Sequence, residues 1–384
     1  MRPFILPIPA VVLVVIPALP ILSLLLAFIL RRRRRKPTIT TIRCLHVGRA
    51  LLTSSPGHLT PLASRALPNQ RLVTAFGIDN SFTTASYSRH KAFRSRVEHL
   101  LRMSSASWQQ TSTLAQTLFR QNTSSLHLVP FVRQYVLTTI LHIFFADFVP
   151  FQPDAVAELG DLIHSLWLQS KVGAPSVTSQ RRLQETLRHL FPGMTENPLD
   201  LLLPAYETLW RTVMRCFLEV QFRAGEQAPA WRELLAEYLG QPSSPRFYAS
   251  LDGVSPAFLV KETLRLYPPT KRIYRATTEK NWVAVDVEGL QCSPEVWGKD
   301  AEHFRPERWG EADAGTWIPF GTGTFVCPAK GEFAPRLIGI LVAAMLGAVP
   351  KDARWTVEHE ADDVLRGGRL NNERDGYESL KLFW

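Results

Sequence analysis

Cysteine is scarce in this sequence: four residues in 384, at Cys44, Cys216, Cys292 and Cys327, none in a C-x-x-C spacing. That excludes a zinc ribbon and a disulfide-dense secreted scaffold, and leaves a reducing compartment with at most one functional thiolate. No repeat of solenoid length occurs. Charge is absent from residues 4–30. Basic charge is sparse where a nucleic-acid partner would need it. The net charge is +10, but the run RRRRRK at 31–36 supplies much of it and the rest of the chain is only mildly basic. Nucleic acid is therefore set aside as a partner. Apolar and aromatic residues are plentiful, with 46% hydrophobic, 20% charged, ten Trp and 21 Phe. That is a globular composition able to enclose a roomy, aromatic-lined interior.

The uncharged stretch 10–30 is long enough to cross a bilayer core, and a membrane helix tolerates Pro17 and Pro20 better than a soluble one does. It runs straight into the basic block rather than into small residues at a cleavage site, which favours an anchor over a cleaved signal peptide. Such a block stays cytoplasmic. The sequence thus predicts a single-pass membrane anchor with a basic stop-transfer segment at 1–36 and one globular domain at 37–384 in the cytosol.

Residues 37–80 carry Pro, Ser, Thr and Gly punctuation and support only weak strands or loops. Between 87 and 103, Phe93, Val97, Leu100 and Leu101 recur at helical spacing. Further helices are predicted over 107–120, 127–147, 153–171, 177–191, 198–223, 229–239 and 255–266, with breaks at Pro130, Pro150 and Pro192. RIYRATTEKNWVAVDVEGL has the β-branched alternation and turn of strands. A Gly-rich loop at 320–331 precedes a buried apolar helix, and the tail ends in a strand-like stretch. The fold class is mainly α with a small, late β region.

Three segments carry chemistry. In PFGTGTFVCPA, Phe320, Gly321 and Gly323 precede Cys327. Glycines let the backbone approach something flat, and a helix starting just downstream aims its N-terminal dipole at the sulfur, lowering a thiolate's pKa. A buried structural cysteine on a Gly-rich turn accounts for the same residues. Glu262 and Arg265, at i and i+3, share a helical face and can pair. Arg308 follows in FRPERW.

In this order the three segments resemble the cytochrome P-450 family of haem-thiolate monooxygenases, and the chain is similar to a short, divergent, fungal-type microsomal member. E-x-x-R matches Glu262 and Arg265, the P-E-R-F segment matches 306–309 with Arg308 as third member of the cluster, and the cysteine loop matches Phe320, Gly323, Cys327 and Ala329. The resemblance covers roughly the last third of the chain and implies haem b with Cys327 as its axial iron ligand. It also implies a propionate-binding pair at His90 and Arg94, and a strand arginine at Arg272 or Arg275. The oxygen-activating acid–alcohol pair falls on Glu207 and Thr208. An ordinary helix start with proline in its first turn explains 204–209 as well.

The sequence departs from the family at Phe325, where an arginine usually binds a propionate, and at Pro204 and Ala205, which replace the usual small pair. The chain is also short between Arg94 and Glu207. The resemblance implies a monooxygenase acting on a lipophilic small molecule, in a tailoring step of specialised metabolism. It further implies electrons from an NADPH-dependent reductase and attachment to the endoplasmic reticulum membrane. A haem-thiolate isomerase, dehydratase or cyclase without net oxygen insertion, and a non-catalytic membrane-bound haem protein, are the alternatives.

Overall fold

The computed structural model describes residues 37–54, 57–119, 125–311, 314–356 and 368–384. The anchor expected at 1–36 lies outside them. Among the described residues no helix is long and apolar enough to cross a membrane.

Strand β1 (Thr38–Ile42) leads into helix α1 (Leu45–Thr53) and then α2 (Pro61–Phe76), α3 (Tyr87–Leu100) and α4 (Ser105–Phe119). After β2 (Ser125–His127) come α5 (Leu128–Phe144), α6 (Pro153–Val172), α7 (Val177–Leu190), α8 (Leu199–Leu218), α9 (Ala228–Gly240) and α10 (Pro256–Leu266). Strands β3 (Arg272–Ala276) and β4 (Asn281–Asp286), helix α11 (Phe333–Ala348), and strands β5 (Arg354–Thr356) and β6 (Lys381–Phe383) complete the chain. The first sheet has the order β1-β4-β3, with β1 parallel and β3 antiparallel to β4; the second, β2-β6-β5, is antiparallel.

The core forms around α8 and α11. α11 is buried from Phe333 to Leu346 apart from Ala334 and packs on α4, α8 and α9. α8 is enclosed on every side in its C-terminal half, where Phe217, Val213 and Leu218 reach zero exposure. Each such side chain contributes about 1.5–3 kcal/mol of burial. α11, apolar almost all round, has no solvent face to lose, whereas α8 also buries Arg211 and Arg215, whose donors reach carbonyls of the C-terminal segment.

Two helices arise where only loops or weak strands are expected. α2 is held by local signals: Pro61 at its start, the Thr60 side chain accepting from the Ala63 N–H, and Gly77 at its C-terminus with φ of 66°. Its buried face includes Ser64 and Arg65 and its interior holds Pro68, so no apolar stripe marks it. Pro130 does not break α5; it sits in the first turn, where its missing N–H would be unpaired anyway.

Pro204 lies inside α8, not at its start. A proline there leaves the carbonyl four residues earlier, that of Asp200, without its helical donor. The Asn80 side-chain amide takes that place at 3.1 Å, while the Asp200 carboxylate accepts the Asp79 N–H at 2.8 Å. The loop before α3 is thereby fastened to the first turns of α8.

Candidate functional site

Glu262, Arg265 and Arg308 meet in the protein interior, with exposures of 0%, 0% and 5%. Glu262 accepts from Arg265 Nε at 2.9 Å and Nη2 at 2.8 Å, and from Arg308 Nε at 2.9 Å. The Arg305 N–H at 3.0 Å and Trp309 Nε1 at 3.1 Å complete its shell. Arg265 spends its remaining donors on the carbonyls of Gln291, Ala301 and His303. A carboxylate and two guanidiniums removed from water are tolerable only when their hydrogen bonds are satisfied in this way. The cluster fixes residues 305–309 against α10. From it a chain of edge-packed rings, Trp297, Trp309, Trp317 and Phe320, runs to the cysteine loop with centroid spacings of 5.5, 6.0 and 5.5 Å.

In the loop, the Cys327 N–H donates to the Phe320 carbonyl at 3.0 Å, closing the turn. Gly323 has φ of 69°, and a Cβ there would come within 2.7 Å of Thr53 in α1. Its lack of a side chain therefore serves the approach of the loop to α1. Cys327 is half-buried. Burial raises its thiol pKa above the usual value, opposed by the Ala329 N–H, Arg65 and Arg94. This corrects the expectation that the helix terminus lowers it: a desolvated sulfur outweighs these donors.

A cationic shell surrounds the loop. Arg94 pairs with Glu98 at 2.7 Å and donates to the Thr324 carbonyl at 3.0 Å. His90 is buried, its Nδ1 2.8 Å from Ser81 Oγ, its ring edge-on to Phe325 at 5.7 Å. Burial, with Arg65 and Arg94 nearby, lowers its pKa, which keeps the imidazole neutral. Arg275 is buried at 5% exposure whereas Arg272, three residues away and on the other face of β3, is exposed. Of the two, Arg275 faces the site, with its guanidinium 5.3 Å from the Phe325 ring.

Arg65, which sequence reasoning missed, is the other member of this shell. Its guanidinium lies 4.8 Å from Phe325 and donates to Ser81 O and Oγ. Burial first, then Arg275, lowers its pKa to about 9. Phe325 stands where the family's arginine is expected, and Arg65 and Arg275 supply positive charge on its ring. The one available signal was a charged residue inside the short-residue run ASRAL of α2.

Glu207 and Thr208 are not arranged as a free acid–alcohol pair. Glu207, 1% exposed, forms an ion pair with Arg374 of the C-terminal segment. The Thr208 hydroxyl donates back to the Pro204 carbonyl at 3.2 Å. The Pro204 carbonyl lies on the helix's own backbone, so the hydroxyl is occupied locally.

A cleft of about 690 Å³ opens beside Cys327, lined by Arg94, Arg102, Lys261, Trp317, Lys330 and Phe333 among others. Among the described residues no group of three or more His, Cys, Asp or Glu forms a metal site.

The fold matches solved structures over most of its length. A cytochrome P450 from Thermus thermophilus, CYP175A1, superposes with a TM-score of 0.58 at 17% identity, covering 83% of this chain and 82% of that one. A six-coordinated cytochrome P450 from another strain of Thermus thermophilus gives 0.57 at 17%, over 83% and 92%. In sequence, a flavonoid-6-hydroxylase of Ocimum basilicum is 33% identical over 134 residues, 30% of this chain and 24% of that protein. The cytochrome P450 monooxygenase xanG of Aspergillus fumigatus is 28% identical over 125 residues, 26% and 22% of the two chains. In fold and in these segments the chain resembles cytochrome P450 proteins. No family model matches it. The matched segments span about a quarter or less of these curated P450 relatives.

The P450 family implies a haem held by a cysteine thiolate, and the residues fit one. Arg65 and Arg275 are buried guanidiniums with no acid in ion-pair contact among the described residues, and Arg275 Nε has no hydrogen-bond partner among them. Buried cations in that state call for an anionic group, which haem propionates are. Cys327 lies within electrostatic reach of Arg65 and Arg94.

Proposed function

We propose that the chain is a haem-thiolate monooxygenase that oxidises a lipophilic small molecule, with haem b held by Cys327. The observation that carries this reading is the half-buried Cys327 within reach of the buried Arg65, which Arg275 adjoins, neither guanidinium having an acid in ion-pair contact among the described residues. When bound, the haem supplies the iron at which dioxygen is activated, with the thiolate donating electron density. Arg65, Arg275 and Arg94 receive its propionates, and neutral His90 completes that shell without adding charge. The Glu262–Arg265–Arg308 cluster, through the Trp297–Phe320 ring chain, fixes the loop that aims Cys327. Glu207 is held in an ion pair with Arg374.

Electrons come from NADPH by way of a reductase. Arg94, Arg102, Lys261 and Lys330 around the cleft beside Cys327 present the basic face that an acidic partner would meet. Residues 1–36 anchor the chain to the endoplasmic reticulum membrane with the domain at 37–384 in the cytosol, and the reaction is a tailoring step in specialised metabolism. The relatives named as hydroxylase and monooxygenase lend no support to a reaction without oxygen insertion. The test is a reduced carbon monoxide difference spectrum of the purified chain and of Cys327→Ala. A red-shifted thiolate-type band, lost in the variant, is expected; folded wild type that holds no haem refutes the proposal.

A further inference from the structure

Trp167, near the C-terminal end of α6, is flanked by two guanidiniums from distant parts of the chain. The Arg71 Cζ of α2 lies 4.9 Å from its ring centroid, and the Arg374 Cζ of the C-terminal segment lies 4.5 Å from it. Arg71 donates to Ser170 Oγ at 2.5 Å but has no acid in ion-pair contact among the described residues. Lys171, the next residue, likewise has no acid in ion-pair contact among them, though Glu373 lies within electrostatic reach. Arg374 is 7% exposed; among the described residues its Nε has no hydrogen-bond partner, and its one ion pair is with Glu207. The other oxygen of that carboxylate, Oε1, is buried and has no hydrogen-bond partner among the described residues. Behind them Arg211 of α8 donates to the carbonyls of Pro269 and Asn372.

The charges crowd one another. Burial, then Arg374, Arg71 and Arg211, bring the Lys171 amine down to about 8; burial, then Arg71, brings Arg374 down to about 9. Glu207 at Arg374, and Glu373 acting on Lys171 and Arg211, answer only part of this charge. A guanidinium fork against an aromatic face is a receptor for a planar anion with an apolar body. α2 carries both Arg65, beside the cysteine loop, and Arg71. Six residues of helix rise about 9 Å, within the length of a small organic molecule.

We propose that the ligand of this chain is an organic carboxylate, received by Arg71 and Lys171 against Trp167, whose charge competes with Glu207 for Arg374. Arrival of the ligand then frees the Glu207 carboxylate from its counter-ion, so ligand binding and the readiness of Glu207 to accept a proton are coupled. Calling that ligand the substrate rests on the haem-thiolate reading above; the binding site does not.

Calorimetric titration of the full-length, haem-loaded chain with dodecanoate and with 1-dodecanol tests it. Dodecanoate should bind about tenfold or more tightly than the alcohol, as expected where a charge meets unpaired cations. Arg71→Gln/Lys171→Gln should abolish that preference while leaving alcohol binding unchanged, and Arg71→Lys should retain part of it. Equal binding of the two probes, no binding of dodecanoate, or a preference that survives in the double variant overturns the inference. So does inorganic phosphate competing as strongly as dodecanoate, which would make this a simple ion site. Carbon monoxide spectra of the same preparations separate the two readings. Carboxylate preference without a thiolate-type band sinks the haem assignment alone, and a normal band without the preference sinks this inference alone.

Discussion

Arg65 shows how a single residue can take over a lost task. The loop offers Phe325 in place of a cation, yet guanidiniums from α2 and β3 lie 4.8 and 5.3 Å from its ring. The positive charge has moved from the loop to two elements that pack against it. Arg65 is also tied to Ser81, whose hydroxyl meets His90, so one side chain links α2, the loop before α3 and the cysteine loop. Arg65→Met should weaken haem retention by about 1.5–3 kcal/mol, the worth of a hydrogen bond to a charged group. Transfer of haem to a scavenging apoglobin measures this as a faster release. Ser81→Ala is the control, since it loosens the loop but leaves the guanidinium in place. Unchanged release from Arg65→Met, or equal losses in both variants, would remove Arg65 from the propionate shell.

At the scale of elements, α8 depends on a contact that its own sequence cannot supply. Asn80→Ala should strip the Asp200 carbonyl of its donor and cost about 1–3 kcal/mol. Pro204→Ala restores a backbone N–H to that carbonyl, so Asn80→Ala should cost less in the Pro204→Ala background. Urea unfolding of the four proteins of this cycle gives the coupling, and strict additivity would contradict the assignment. The same pair shows what the sequence conceals. Helices α3 to α10 were legible because apolar residues recur at helical spacing, α11 because it is a nearly unbroken apolar run, and Glu262, Arg265 and Arg308 because a fixed motif order accompanies them. α2 was hidden because its buried face includes Ser64 and Arg65 and its interior includes Pro68. β1 gave no clue to its partner, since its parallel neighbour β4 lies more than two hundred residues away. Glu207 looked like a free acid for the same reason: Arg374 belongs to a segment with no local signature.

At the scale of the whole molecule, the C-terminal segment is fastened to the helical core through ionisable groups, which makes stability depend on pH. His164 of α6 and Arg133 of α5 meet at 3.1 Å, Glu378 of the tail pairs with Arg133, and the Trp210 ring of α8 lies 6.3 Å from the imidazole. Burial, then Arg133, Arg374, Arg211 and Lys171, pushes the His164 pKa from 6.5 down to about 3. Between those values the unfolded chain binds a proton that the folded chain refuses. This contribution to stability is therefore complete above about 6.5 and declines as pH falls, by up to about 1.4 kcal/mol per pH unit until about 3. Asp200, Glu219 and Glu378 act with the opposite sign, because burial raises their pKa values and the folded chain takes their protons more readily. A comparison with His164→Gln, whose amide oxygen can still accept from Arg133, isolates the histidine. Unfolding free energies at pH 7, 6 and 5 should fall more steeply for wild type than for the variant, with the gap widening below pH 6.5. Parallel pH profiles would show that the imidazole takes up its proton as readily in the folded protein as in the unfolded chain.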